Sequence, residues 1–201
     1  ARAKRKGGRA ADRGGCPHME DETYVEIAPG YAFSCVYDGH GGGLAAEFCR
    51  EQLHLNVLAS EAFARADIAQ ALAQGVERTE AQLLSKQREL ASSLKTRGGG
   101  AICGTTALVF LLAPSLDGSR DVAHLAWLGD CRAVLCHNGA PRVLTSDHLV
   151  RRESERRRIL GEGGIVHANR LSGFLEVSRA LGDLDHDTGF KPAGLSAQPE
   201  M

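Results

Sequence analysis

The residues best suited to chemistry lie where an apolar segment ends in a glycine-rich loop. Residues 31–37 are aromatic, β-branched or small and contain no breaker, which predicts a buried strand, and Asp38 follows directly. Gly39, His40 and three more glycines come next, and a helical pattern begins at Leu44. This order predicts a strand that delivers a carboxylate to a loop where the backbone can approach a ligand.

Two kinds of ligand suit such a loop. A phosphate or dinucleotide cradle would need GxGxxG spacing, and Gly39 and Gly41 fit its first two glycines, but Leu44 stands at the third. Asp38 would also repel a bare phosphate, whereas carboxylate and carbonyl oxygens suit Mg²⁺ or Mn²⁺. We therefore favour a metal site over nucleotide binding, and a solvated glycine turn stays open as the interpretation of Asp-Gly-His taken alone.

A predicted hairpin brings further acids to this loop. Residues 23–27 alternate as a half-buried strand does, and Ala28-Pro29-Gly30 predicts a turn into residues 31–37. The hairpin would place Glu20 and Asp21 close to Asp38. Carboxylates that meet in a partly buried place must share a cation or a proton, and a shared cation is the commoner solution.

Other polar residues have weaker contexts. Asp147 and Asp183 each follow an apolar stretch and could add ligands, although each alone is more often a turn or cap residue. The imidazole of His40, beside the metal loop, could protonate a leaving oxygen. Residues 129–132 resemble a hairpin turn more than a site, and Arg170 is interpreted as a surface arginine.

The remaining pattern predicts the elements that must position these residues. Helical periodicity over residues 44–59 and 67–94 predicts two long helices, with Arg97 and the following glycines as the stop of the second. One face of the second helix would carry Ile68, Leu72, Val76, Leu83 and Leu90. Strand patterns follow at 105–112, 122–128, 132–136 and 142–144, and a charged helix at 151–160. Paired helices and strands grouped in meanders favour an α+β fold with antiparallel sheets.

Length and composition indicate one globular domain. The chain has 201 residues, of which 43% are hydrophobic and 24% charged, so the composition excludes a disordered chain. Residues 1–11 are basic and predict a flexible tail, which leaves residues 12–201 as the domain. The net charge of −1 argues against a nucleic-acid partner.

The cysteines and the apolar runs indicate the cellular compartment and whether a membrane partner is expected. Six cysteines form no CxxC pair and no secretory signal is evident, which predicts a reducing intracellular compartment, cytoplasmic or nuclear. No apolar run is long enough to cross a bilayer, so we expect no membrane partner. We expect a monomer.

Seven motifs, in order, resemble the metal-dependent protein phosphatase family, type 2C. They are Met19-Glu20-Asp21, residues 36–42, 104–107 and 128–132, Ser146-Asp147-His148, Gly163-Gly164 and residues 177–183. One such motif would be weak evidence, but seven in order, from about Asp12 to the end, are strong. The resemblance implies two antiparallel β-sheets in a sandwich flanked by helical pairs, a four-layer αββα fold, incomplete at the C-terminus.

The resemblance also implies roles for single residues in a two-metal centre. Asp38 matches the aspartate that bridges both metals, and Gly39 matches the glycine that gives its carbonyl to one of them. Glu20 matches an acid that holds this metal largely through water, with Asp21 as its neighbour. Asp147 matches an acid of a third, weaker metal site.

The implied reaction is hydrolysis of phosphoserine and phosphothreonine in phosphoprotein substrates. Two Mg²⁺ or Mn²⁺ ions would clamp the phosphate and lower the pKa of a bridging water, which attacks phosphorus in line. His40 would protonate the departing serine or threonine oxygen. No cysteine nucleophile is needed.

Two departures from the family pattern are visible. Cys16 stands where the family commonly has a phosphate-binding arginine, and Arg13 could swing in through a bend at Gly14-Gly15. Two later metal-binding aspartates of the family have no counterpart before Met201. We therefore expect residues 1–201 to bind metal poorly and to be marginally folded, while a longer parent is active. The alternative is a catalytically dead phosphatase-like domain that binds a phosphoprotein or regulates a partner.

Overall fold

The computed structural model describes residues 5–94, 103–185 and 188–201. In chain order the strands are β1 (Glu22–Ala28), β2 (Tyr31–Tyr37), β3 (Gly39–His40), β4 (Gly104–Thr105), β5 (Ala107–Pro114), β6 (Asp121–Leu128), β7 (Val134–His137), β8 (Ala140–Val143), β9 (Val166–His167), β10 (Arg170–Leu171) and β11 (Leu181–Gly182). The helices are α1 (Leu44–Leu58), α2 (Glu61–Ala64), α3 (Ile68–Leu94) and α4 (Glu153–Gly161).

The main layer is a four-stranded antiparallel sheet with the order β1-β2-β5-β6. Alternate residues of β2, Phe33, Cys35 and Tyr37, are buried, as the period of two along a strand requires. They form one core with Leu53 of α1 and Leu72 of α3, among others. The helical pair therefore covers one face of this sheet.

Helices α1 and α3 approach each other closely at a glycine. A Cβ atom added at Gly75 would lie 2.2 Å from Cγ2 of Val57, so no larger residue fits there without moving a helix. Nearby, the Asn56 amide donates to the Thr79 hydroxyl at 2.9 Å and satisfies a buried polar group. This contact fixes the pair of helices that supports the sheet.

The predicted apolar face of α3 is mostly correct. Ile68, Leu72, Val76 and Leu83 are buried, whereas Leu90 is 38% exposed. The reason is length, because α1 has 15 residues and α3 has 27, and the two helices run back along each other. Because the two helices are antiparallel, the last turns of α3 extend past the first turn of α1.

A second layer contains shorter strands. Strands β11, β4 and β3 form a three-stranded antiparallel sheet that packs on α1 and α3, and Leu181 of β11 belongs to the main core. The second layer itself contains two hairpins, β7 with β8 and β9 with β10. Its core surrounds Ile159 of α4 and consists of Leu149, Val150, Ile159, Leu171, Leu175, Val177, Ala180 and Leu195. Trp127 of β6 joins the layers, since its indole donates to the Ser146 carbonyl at 2.9 Å.

The α+β architecture with antiparallel sheets is confirmed, and both long helices lie within about a residue of the predicted bounds. The strand predicted at 105–112 instead divides at Thr106, because β4 pairs with β3 and β11 whereas β5 pairs with β2 and β6. The predicted stop at Arg97 lies outside the described residues.

Among the described helices, none is both long enough and apolar enough to span a bilayer. In the tail, Arg5 pairs with Asp121 at 2.6 Å.

Candidate active site

Four chain segments meet at one edge of the main sheet because neighbouring strands are antiparallel. Strand β2 ends at Tyr37, directly before Asp38, and the register pairs Tyr37 with Glu22 at the start of β1. Strand β6 ends where β5 begins, with Leu128 opposite Ala107. The residues just beyond these ends, including Asp21 and Asp38, therefore share one edge.

The acids at this edge interact through their charges. Partial burial raises the pKa of Asp38, and the charges of Asp21, Asp130 and Glu20 raise it further, while His40 acts in the opposite direction. A hydrogen bond from the Thr106 amide to the Asp38 carbonyl, at 3.0 Å, holds the backbone of this acid. The structure thus brings Glu20, Asp21 and Asp38 together, as the hairpin pattern predicts.

Gly39 is a glycine for a steric reason. A Cβ atom there would lie 2.3 Å from the carbonyl oxygen of Glu20, closer than any side chain tolerates. The absence of a side chain lets the segment before β1 lie against the loop after β2. This contact places Glu20 beside Asp38.

His40 is held by an acid from a distant part of the chain. Its Nε2 atom lies 2.8 Å from Oδ1 and 3.0 Å from Oδ2 of Asp183, which is 1% exposed. Burial lowers the pKa of His40, but the hydrogen bond and charge of Asp183, with the charges of Asp38 and Glu20, raise the pKa overall. The imidazolium is thereby favoured at the site.

These groups line a cleft of about 540 Å³. Its walls include Asp38, His40, Thr106, Asp130 and Asp183 on one side and residues 174–177 on the other. Phe174 is 46% exposed. Arg170 also lines the cleft, but its guanidinium is committed to Glu176 at 2.5 Å and to the Phe174 carbonyl at 2.7 Å.

Two predicted site residues lie elsewhere. Asp147 lines a separate groove with Arg132, whose Nε donates to its Oδ1 at 2.9 Å, and this hydrogen bond lowers the pKa of Asp147. Arg13 is exposed and donates to the Pro17 carbonyl at 3.1 Å. Neither residue lines the cleft that contains Asp38.

Sequence reasoning identifies the two other acids of the cleft only incompletely. The pattern around Asp130 predicts a hairpin turn, and that around Asp183 predicts a ligand or turn residue, not the partner of His40. Both follow a glycine that ends a buried apolar run, the signal that could have marked them, yet Gly-Asp is also an ordinary turn sequence.

The donor set at the edge suits a hard cation in its chemistry. Across residues 5–94, 103–185 and 188–201, no three His, Cys, Asp or Glu side chains form a group that could hold a metal ion by themselves. The carboxylates around Asp38 are nonetheless close enough to raise its pKa. Mg²⁺ commonly binds one or two carboxylates and keeps several waters, so Asp38 with Glu20 or Asp21 fits such an ion.

Comparison with known proteins gives a consistent result. The family described as "Protein phosphatase 2C" matches residues 16–201. The chain is 35% identical to "Probable protein phosphatase 1N" of Mus musculus, covering 96% of this chain and 47% of that protein. It is also 35% identical to "Probable protein phosphatase 2C 8" of Arabidopsis thaliana, covering 95% of this chain and 57% of that protein. The chain thus spans about half the length of these relatives.

A solved structure shares the fold. The crystal structure of a serine-threonine phosphatase 2C from Toxoplasma gondii superposes with a TM-score of 0.73 at 23% identity, covering 94% of this chain and 70% of that one. At this identity the superposition supports the fold alone.

Proposed function

The chain belongs to the protein phosphatase 2C family, and we propose that it carries part of the active site of a metal-dependent protein serine/threonine phosphatase. The observation that carries the proposal is the meeting of Asp38, His40, Asp130 and Asp183 in one cleft, with the charges of Glu20 and Asp21 acting on Asp38. The substrates would be phosphoserine and phosphothreonine side chains of phosphoproteins. Residues 12–201 would act as one domain and as a monomer.

The acids at the sheet edge would hold the metal. Asp38 and the Gly39 carbonyl, with Glu20 and Asp21, would bind Mg²⁺ or Mn²⁺, two ions in the complete site. When bound, such ions neutralise phosphate charge and acidify a water molecule. The acidic cluster otherwise repels phosphate, so substrate binding is expected to require the cation.

His40 would supply the proton for the leaving oxygen. A serine or threonine alkoxide is a poor leaving group, and a positioned acid can transfer a proton to it as the P–O bond breaks. The acids around His40 raise its pKa overall, which favours the protonated ring. Asp38 and His40 thus have separate roles at neighbouring positions.

Two further assignments require rearrangement. Asp147 would serve a third metal site only if its ion pair with Arg132 opened. Arg13 would reach a phosphate only after leaving the Pro17 carbonyl. We also retain the proposal of an intracellular compartment, since all six cysteines are unpaired.

A metal-dependent phosphatase assay tests the proposal. We expect that any release of phosphate from phosphoserine and phosphothreonine peptides by the chain requires Mn²⁺ or Mg²⁺. Asp38→Asn should lower kcat by at least about 100-fold and weaken Mn²⁺ binding in calorimetric titration, because it removes a charged ligand. Asp117→Asn, in the loop at 115–120, is the matched control and should leave both values unchanged. Wild-type turnover by the Asp38→Asn variant would refute the assignment.

A second candidate function is phosphoprotein binding without hydrolysis. The supporting observation is that Arg13 lies outside the cleft while Cys16 occupies the position of the family's phosphate-binding arginine. Capture by the chain of a phosphopeptide that remains intact in the presence of Mn²⁺ would favour this function over the enzyme.

A further inference from the structure

We propose that Asp183 is a positioning residue that orients His40 so that Nδ1, and not Nε2, faces the leaving oxygen of the substrate. The inference rests on the proposed phosphatase function and adds to it the identity of the proton-donating atom. It assigns a task to a buried acid that is 143 residues from His40 in the sequence.

The contact between the side chains of Asp183 and His40 determines which ring nitrogen of His40 faces the acid and which is left for the substrate. Both oxygens of Asp183 lie within 3.0 Å of Nε2 of His40. An ionised carboxylate only accepts hydrogen bonds, so Nε2 must carry a proton and donate it to this pair. Nδ1 is then the ring nitrogen left for the substrate, and the side chain of His40 keeps 32% of its surface exposed.

Neighbouring residues fix the backbone of Asp183 and leave room for its carboxylate. Its backbone has a φ of 60°, an unusual conformation for a residue with a side chain, and its amide donates to the Cys103 carbonyl at 2.9 Å. A Cβ atom at Gly104 would lie 2.2 Å from Oδ2 of Asp183, so the glycine leaves room for the carboxylate. A solvated turn residue would not need the room that Gly104 leaves.

Helix α3 supports the same turn from behind. Oε2 of the buried Glu80 accepts from the Gly182 amide at 2.8 Å, and its Oε1 pairs with Lys191 at 2.6 Å. The Lys191 ammonium also donates to the Ala180 carbonyl at 2.7 Å. These contacts anchor the turn that presents Asp183 to a long helix of the main core.

In this arrangement each proton in the transfer from His40 to the leaving oxygen is accounted for. In its proton-donating form the imidazole of His40 carries a proton on each nitrogen, and Nε2 donates to Asp183. As the P–O bond breaks, the Nδ1 proton moves to the ester oxygen, which leaves as the neutral alcohol. The ring becomes the neutral Nε2–H tautomer, still bonded to Asp183, and a later proton from water restores the acid.

Two variants remove the contact in different ways. Asp183→Gly deletes both acceptor oxygens, and glycine accommodates the φ of 60° without strain. Gly104→Ala keeps the charge but pushes the carboxylate away from its place. Asp183→Asn keeps one acceptor oxygen and serves as the conservative variant, while Asp117→Gly, in an exposed loop, is the control.

The first measurement is independent of activity. Nitrogen-15 NMR of the folded 201-residue chain, at a pH where His40 is neutral, should show the Nε2–H tautomer in the wild type and in Asp117→Gly. In Asp183→Gly and Gly104→Ala the two tautomers should become mixed. An unchanged tautomer in both variants, with circular dichroism showing that they fold, would overturn the proposal.

The second measurement compares leaving groups. Asp183→Gly should lower kcat on a phosphoserine peptide by about 100-fold but on p-nitrophenyl phosphate by less than about 5-fold, since nitrophenolate needs little protonation. Asp183→Asn should recover part of the loss. Equal losses on both esters would indicate a structural role and reject the proposal. If the wild type hydrolyses neither ester in the presence of Mn²⁺ while the tautomer depends on Asp183, the phosphatase function fails and the positioning role is supported.

Discussion

At the scale of single residues, the same negative charges raise the pKa of two neighbouring groups, which favours a neutral thiol and a protonated imidazole. Burial raises the pKa of Cys131 to about 11, and the charges of Asp38 and Asp130 also raise it, although a hydrogen bond with Thr106 acts against them. The same negative environment raises the pKa of His40. A thiol with so high a pKa is protonated at neutral pH, which argues against a cysteine nucleophile at this site.

The thiols should differ in reactivity accordingly. At pH 7.5 a thiol with a pKa of about 11 is ionised to the order of 1 part in 1,000 or less, so alkylation of Cys131 should be slow. Cys16 and Cys136 are exposed and should react with iodoacetamide at least about 10-fold faster than Cys131. The buried cysteines should react only after unfolding. Time-resolved peptide mass spectrometry measures each rate, and labelling of Cys131 as fast as Cys136 would contradict this account.

At the scale of elements, the local parts of the site were predictable and the distant parts were not. The hairpin pattern was enough to place Asp21 near Asp38, because adjacent antiparallel strands fix that register. No local pattern could pair Asp183 with His40, since that contact depends on how β3, β4 and β11 assemble. The ion pair of Asp147 with Arg132 likewise depends on the turn of the β7–β8 hairpin between them.

The contact of α1 with α3 predicts a result opposite to helix propensity. Glycine inside a helix costs about 1 kcal/mol relative to alanine, so propensity alone predicts that Gly75→Ala stabilises the protein. The added Cβ would meet Val57 at 2.2 Å and its backbone at 3.1 Å, and we expect a loss of about 1–3 kcal/mol in the free energy of unfolding.

The matched control is Gly161→Ala at the end of α4, where the added Cβ meets no atom within 4 Å. Its free energy of unfolding should stay level or rise by up to about 1 kcal/mol. Urea unfolding of both variants shows whether each substitution raises or lowers the free energy of unfolding. A stabilised Gly75→Ala variant would show that the two helices are farther apart than described.

At the scale of the whole molecule, one buried acid joins the segments of the second layer. Glu155 of α4 is 3% exposed and accepts hydrogen bonds from Arg158, Arg179 and Ser178. Arg158 also donates to the Gly194 carbonyl and Arg179 to the Gln198 carbonyl. Through these arginines a single carboxylate connects α4, the segment that leads to β11 and the C-terminal segment.

This arrangement predicts an acid-sensitive stability. Burial alone would raise the pKa of Glu155, but the hydrogen bonds from Arg179, Ser178 and Arg158 lower it from 4.5 to about 2. A carboxyl with a lowered pKa in the folded state stabilises the fold fully above pH 4.5, and its contribution of about 3 kcal/mol is lost as pH falls towards 2. Glu155→Gln should therefore be less stable than the wild type by about that amount at pH 7, and the difference should vanish near pH 2.

Urea unfolding of the wild type and of Glu155→Gln between pH 2 and 7 measures the difference in their free energies of unfolding. This difference isolates the contribution of Glu155, because the other groups that titrate in this range are present in both proteins. Glu153→Gln removes an exposed acid of the same helix that pairs with Arg157, and should change stability by less than about 0.5 kcal/mol at every pH. A constant difference between Glu155→Gln and the wild type across this range would show that the stabilisation comes from the shape of the side chain. A difference that closes as pH falls would show that the stabilisation comes from the charge of Glu155. The loss of stability in acid would then arise in part within the second layer.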